Sequence, residues 1–246
     1  TYFKARENHR IISKAFMIAY ATDDQGHREI LGFGVYANES KETWKSFIRD
    51  LKARGLRNVL MITSDAHEGL CDAISKEFPQ AAWQRCQFHF SKNIAEKAPK
   101  KYQAGIRSEL SEMFNCTTIE EARRKRDSII ADYQDVAESA MTCLDEGFES
   151  SMTAMILPKY LRQYFRTSNH IERINRELKR RSKVIGVFPN EASILRLMGS
   201  VLMELNDTAQ ARKALFSPKT YNNLMSAEVK SKLIILANEQ HLLRVS

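Results

Sequence analysis

No apolar run in this 246-residue chain approaches the roughly 18 to 20 residues that cross a bilayer, and Thr1–Arg10 is too polar for a signal peptide. A cytoplasmic protein is therefore expected. Cysteine is sparse, with Cys71, Cys86, Cys116 and Cys143 far apart and no C-x-x-C pair. That excludes a disulfide framework and a four-thiolate zinc site, and leaves free thiols in a reducing compartment as the expectation. Glycine and proline, at 9 and 5 residues, never cluster into a linker, and there is no internal repeat. Acidic residues are outnumbered, 30 against 38 Lys and Arg, so the net charge is +8 and the isoelectric point is near 9.3. Such a balance favours a polyanionic partner, most economically nucleic acid. With 43% hydrophobic residues the chain is long enough for one large globular domain or a domain carrying an insertion.

The first part alternates strand and helix signals. KAFMIAY (14–20) and ILGFGVY (30–36) flank the turn-rich ATDDQGHRE, which predicts a β-hairpin, and TYFKAR (1–6) offers a third strand. Ser40 is placed as the N-cap of a helix carrying Trp44, Phe47, Ile48 and Leu51 at 3–4 spacing. NVLMITSD (58–65) is a nearly continuous apolar run ending in Asp65, the pattern of a strand buried on both faces that delivers an acid to the carboxyl edge of a sheet. The same Asp65 could instead cap the helix that follows, which places Leu70, Ile74 and Phe78 toward the core before another strand at Ala81–Arg85. The expected order is β-β-β-α-β-α-β, an α/β layout.

WQRCQFHFSKNI then brings Cys86 and His89 into a C-x-x-H spacing. Half of a zinc site would need a matching second pair, and only the scattered His67, His170 and Cys71 are available, so a buried Cys and His at the base of an active site is expected instead. From Ile94 to Leu161 the pattern is helical and interrupts the α/β layout. Asn190, after the break at Phe188-Pro189, is placed as the cap of an amphipathic helix through Ile194, Leu195, Met198, Val201, Leu202 and Leu205, and Ala227–Leu243 offers a last helix.

The densest charge lies in FRTSNHIERINRELKRRSK (165–183). On a helix, Ile171, Ile174 and Leu178 share one face and Ser168, Glu172, Arg176 and Lys179 the neighbouring one. Arg166, Arg173, Arg176, Lys179, Arg180, Arg181 and Lys183 stand against only Glu172 and Glu177. A carboxylate among so many cations is either an ordinary i,i+4 partner of Arg176 on a solvated face, or the holder of a divalent metal beside a polyanion.

In SDAHEGL, WQRCQFHFSKNI, NHIERINRELKRR and VFPNEAS, in this order and spacing, the sequence resembles the Mutator-type family of insertion-sequence transposases, over about Tyr2 to about Asp207. The resemblance implies a DDE transposase with a ribonuclease H-like mixed sheet and flanking helices, interrupted by an all-helical insertion before the final Glu. It implies a catalytic core over 1–90, the insertion over 91–163, the remainder of the core with its Glu-bearing basic helix over 164–210, and a helical tail over 211–246. Asp65 would be the second catalytic Asp and Glu172 the catalytic Glu, both as metal ligands. Cys86, His89, Asn169 and Asn175 would support the motifs, and Arg173, Arg176, Lys179, Arg180, Arg181 and Lys183 would grip phosphates. Two Mg²⁺ or Mn²⁺ ions would serve phosphodiester cleavage and strand transfer, since hard cations take oxygen ligands and can stabilise attacking and leaving oxygens in line. Double-stranded DNA, as element ends and target, would be the partner, with a homodimer or larger assembly, in the bacterial cytoplasm at the nucleoid. The family's first catalytic Asp would fall before Thr1, so the chain is expected to be a core without that ligand and without the end-recognition region, unable to catalyse transposition as it stands. Two other classes share these residues: an inactive DNA-binding remnant of a transposase, and a metal-dependent nuclease of the same fold.

Overall fold

The computed structural model describes residues 1–245 and is a mixed α/β protein. In chain order the elements are β1 (Tyr2–Glu7), β2 (Arg10–Thr22), β3 (Arg28–Tyr36), α1 (Lys41–Ala53), β4 (Met61–Ser64), α2 (Glu68–Glu77), β5 (Ala82–Arg85) and α3 (Gln87–Glu96). Then follow α4 (Lys100–Phe114), α5 (Ile119–Ser151), a 3-10 turn at Thr153–Ile156, α6 (Lys159–Phe165), α7 (Asn169–Ser182), α8 (Glu191–Gln210), α9 (Pro218–Leu224) and α10 (Ala227–Val245). The chain divides into two compact units: Thr1–Asn58, Glu68–Phe78 and Asn169–Ser226 form the first, and Val59–His67, Pro79–Ser168 and the stretch from Ala227 form the second. Among the described residues no helix is long and apolar enough to cross a membrane.

The first unit is built on an antiparallel sheet in the order β1-β2-β3. Strand β2 supplies two cores at once. Phe16, Ile18 and Tyr20 face a cluster with Phe3, Ile174, Leu178, Phe188, Ile194 and Met198, while Met17 and Ala19 face Phe47, Leu51 and Trp44 of α1. This is why KAFMIAY lacks the polar alternation of a one-sided strand. The turn between β1 and β2 consists of Asn8 and His9, both at positive φ (48° and 61°), the geometry of a two-residue hairpin, for which Asn is well suited. In the β2–β3 connection the Asp23 carboxylate accepts from the amides of Gln25 and His27, and Gly26 takes a φ of 81°. A side chain there would be strained by the backbone and would strike the Phe216 main chain. Phe188 runs along the free edge of β1, accepting from the Arg6 amide at 2.9 Å and donating to the Lys4 carbonyl at 2.8 Å. Both caps read from the sequence are present: the Thr43 amide donates to Ser40 Oγ at 3.2 Å, and the Ser193 amide to Asn190 Oδ1 at 2.9 Å.

The second unit pairs β4 with β5 in parallel and surrounds them with helices. Its core comes from α3, α4 and α5, through Phe90, Ile94, Ile106, Leu110, Met113, Ile129, Leu144 and Phe148. Two departures from the expected pattern occur here. Helix α3 begins at Gln87, not near Ile94, because Phe90 and Ile94 already share the buried face, four residues apart, and the Phe90 amide reaches the Cys86 carbonyl. Helix α5 runs for 33 residues from a capping box of Thr118 and Glu121, and bends at Ala137 (φ −151°, ψ 47°). Past the bend the buried face resumes in a new phase at Ala140, Met141 and Leu144, which hides its length in a 3.6-residue periodicity. Gly147 lets α5 approach α3, since a Cβ there would collide with the Phe90 ring. Helix α10 is tied to β5 by Gln240, whose amide both accepts from the Trp83 N–H at 2.7 Å and donates to the Trp83 carbonyl at 2.9 Å. In α2 the buried residues are Gly69, Cys71, Ala73 and Ile74; Leu70 and Phe78 are only partly covered.

Candidate active site

Within the second unit, parallel pairing brings the carboxyl ends of β4 and β5 to one edge, the side of an α/β sheet where ligands characteristically bind. Asp65 follows directly on β4 and is exposed. Its position is fixed from behind: Ser64 is buried, its Oγ donates to the Asp65 carbonyl at 2.7 Å, and Trp83 Nε1 donates to that Oγ at 2.9 Å. Cys86 follows on β5, with its amide bonded to the Ser64 carbonyl at 2.7 Å.

The Cys86 thiol is completely buried and accepts from both the amide (3.3 Å) and the hydroxyl (3.2 Å) of Ser168. His89, one turn into α3, also hydrogen-bonds to it. Burial pushes this thiol up, but the bonds from His89 and Ser168 outweigh burial and hold it below its ordinary range. The pair thus orders the segment before α7, together with Gln87, whose amide donates to the Arg166 carbonyl at 3.0 Å, and Thr63, whose hydroxyl donates to the Phe165 carbonyl.

Within the first unit, Glu172 lies in the first turn of α7, where the helix dipole favours a carboxylate, and is partly buried. Ile174 and Leu178 are buried on the opposite side in the sheet-facing core, as their spacing requires. Asn175 Oδ1, one turn beyond Glu172, is buried without a hydrogen-bond partner, whereas Asn169 is exposed. Arg173, Arg176, Lys179, Arg180, Arg181 and Lys183 are all exposed. Two of them are engaged: Glu177 holds Arg180 at 2.6 Å and Arg181 at 2.9 Å, and Arg181 also reaches Glu204 at 3.1 Å. These two guanidiniums hold Glu177 well down, at a pKa of about 2.

Asp65, Cys86 and His89 therefore belong to the second unit, and Glu172, Asn169, Asn175 and the basic residues to the first. Residues 1–211 match the family described as Transposase, Mutator family. This chain belongs to that family. The transposase for insertion sequence element IS256 in transposon Tn4001 of Staphylococcus aureus is 40% identical over 224 residues, covering 90% of this chain and 56% of that protein. The transposase for insertion sequence element IS1081 of Mycobacterium tuberculosis is 37% identical, over 83% of this chain and 49% of its own length. That for insertion sequence element ISRM5 of Rhizobium meliloti is 33% identical, over 84% and 52%. The Mutator-family chain thus spans about half the length of the curated relatives it matches.

The sequence did not single out Tyr20, Arg28 and Arg212, which in the first unit gather with His170 and Arg173. Nothing in their spacing could have marked them, because strand pairing and helix packing alone unite positions so far apart in the chain.

Proposed function

We propose that this chain is the catalytic region of a DNA transposase that cleaves phosphodiester bonds at the ends of an insertion element and joins them to target DNA. The observation that carries the proposal is the match to the Mutator family from residue 1 to residue 211, a span that includes both candidate carboxylates and the basic helix. The architecture we assign is ribonuclease H-like: the antiparallel strands β1–β3 and the parallel strands β4 and β5 supply the sheet elements, residues 91–163 form the helical insertion, and the described residues from 211 onward form a helical tail. Its partner is double-stranded DNA. Joining two element ends calls for at least two catalytic chains, so the working assembly is a homodimer or larger.

Asp65 and Glu172 are proposed as metal ligands. The donor set suits Mg²⁺ or Mn²⁺: both side chains offer hard oxygens, and the buried, unpartnered Oδ1 of Asn175 is a further oxygen acceptor on the Glu172 helix. When bound, a pair of such ions would activate the attacking oxygen and stabilise the leaving one. The protein's own part is to hold these oxygens on rigid supports. Asp65 is braced by the Trp83–Ser64 bonds, and Glu172 rides on a helix anchored through Ile174 and Leu178. Exposed Arg173, Arg176, Lys179 and Lys183 would supply sequence-independent phosphate contacts. The test is strand transfer by the protein expressed from its complete reading frame, on duplexes carrying its own element ends. Asp65→Asn and Glu172→Gln should each lower the rate by about 10²- to 10⁴-fold, the equivalent of several kcal/mol of lost transition-state stabilisation. Unchanged transfer in either variant would refute the assignment.

A further inference from the structure

At one end of the first unit's sheet, Tyr20 and His170 stack face to face, with ring centroids 5.4 Å apart and an interplanar angle of 20°. Tyr20 is near the end of β2, and Arg28 opens β3 opposite Thr22, so Arg28 lies on the same sheet face as Tyr20. Arg173 is three residues beyond His170 on α7 and so shares its helix face. Arg212 follows the end of α8, which is pinned beside the same strands: Asn206 Oδ1 accepts the Ile30 amide at 2.8 Å, and the Leu215 amide donates to the Gly26 carbonyl at 2.9 Å. Three guanidiniums from three separate elements thus converge on one aromatic pair. All three act on both rings. Burial holds the Tyr20 phenol above its ordinary range, against the pull of Arg28, Arg212 and Arg173.

Four other arginines of this unit are ion-paired, Arg49 with Glu77, Arg54 with Asp50, and Arg180 and Arg181 with Glu177. Among the described residues, none of Arg28, Arg173 and Arg212 makes an ion pair. Convergent like charges repel, and no ion pair among the described residues offsets the repulsion here, so an anion that arrives from outside would relieve it. The rings supply what an anion also needs: a phenol O–H and an imidazole N–H are both donors.

We infer that Tyr20, Arg28, His170, Arg173 and Arg212 form a phosphate-binding site for the DNA backbone, which extends the DNA track of α7 across the end of the β2–β3 hairpin. The inference rests on the reading of the protein as one that acts on DNA, and it assigns to that track residues from β2, β3 and the end of α8. Binding is measured with a labelled duplex of arbitrary sequence, in EDTA, as a function of salt. Without metal the result is independent of Asp65 and Glu172, so failure of the catalytic proposal and failure of this one are told apart. The double variant Arg28→Ala/Arg212→Ala should flatten the plot of log affinity against log salt by about 1.8, for two phosphate contacts at about 0.9 each. The control Arg57→Ala/Lys219→Ala removes the same charge from exposed positions outside the cluster and should leave the slope unaltered. Arg28→Lys/Arg212→Lys should keep the slope, which separates loss of charge from loss of structure. Tyr20→Phe, which retains the ring, should weaken binding about 5-fold, the worth of one hydrogen bond. Wild-type slope in the alanine pair, or an equal fall in the control, would overturn the site.

Discussion

The cations of the Mutator-family chain fall into two sets that a count of charges cannot distinguish. At the carboxyl end of α7, Arg180 and Arg181 lie in the densest basic run, yet both are held by Glu177, and Arg181 also by Glu204. At the amino end of the same helix, Arg173 joins Arg28 and Arg212 around an aromatic pair, and among the described residues no carboxylate forms an ion pair with them. Formal charge and available charge are therefore different quantities. A polyanion meets the second set directly, but must compete with Glu177 for the first.

The largest effect expected from disturbing this contrast is structural. Leu178, which falls between Arg173 and Arg180 along α7, is completely buried in the sheet-facing core, so Leu178→Ala should cost about 2–5 kcal/mol in stability and loosen the helix that carries both sets. Chemical denaturation measures the loss; a midpoint equal to wild type would mean that α7 is not anchored as described. Next comes the triple variant Arg28→Ala/Arg173→Ala/Arg212→Ala, which should flatten the salt dependence of DNA binding by about 2.7, at about 0.9 per contact. Arg180→Ala/Arg181→Ala should change the slope by less than about 0.9, because these guanidiniums are already paired. Equal effects from the two sets would abolish the distinction.

The smallest effect is the reverse substitution. Glu177→Gln frees Arg180 and leaves Arg181 only its Glu204 pair, so DNA affinity should rise modestly at low salt; a fall would show that Glu177 positions the arginines for binding. The pH dependence follows in sign. A carboxyl depressed from 4.5 to about 2 keeps its pairs at full strength above 4.5 and loses them only as pH falls through about 2. Mildly acidic buffers should therefore leave Arg180 and Arg181 paired, and a DNA titration at such a pH should show no gain from their release.

Local signals were legible in the sequence, and convergence was not. Ser40 and Asn190 announced their helices because a cap is a short-range bond between a side chain and an amide two or three residues on. The burial of Ile174 and Leu178 followed from periodicity, and the apolar run before Asp65 announced a strand, but only Met61–Ser64 pairs, and Met61, Ile62 and Thr63 are partly covered where burial on both faces was expected. The start of α3 was obscured because its first turn coincides with the C-x-x-H spacing, and the length of α5 because the bend at Ala137 resets its phase. The Asn8-His9 hairpin turn lay in a polar stretch with no glycine to mark it. Among the candidate residues, Asp65, Cys86 and His89 of the second unit and Glu172 of the first were marked by motif. The Tyr20–Arg28–Arg212 grouping has no motif at all: Thr22 opposite Arg28 is a fact of strand register, and Arg212 joins through the hydrogen bonds that dock α8 on the hairpin.

The proposed chemistry is tested most directly by exchanging a carboxylate for a softer ligand. Strand transfer should be measured for Asp65→Cys in the protein from its complete reading frame, with Mg²⁺ and with Mn²⁺ in parallel. A thiolate suits Mg²⁺ poorly and the softer Mn²⁺ better, so the account predicts no detectable transfer with Mg²⁺ and partial recovery with Mn²⁺. Transfer at the wild-type rate with both ions would contradict the claim that Asp65 is a metal ligand.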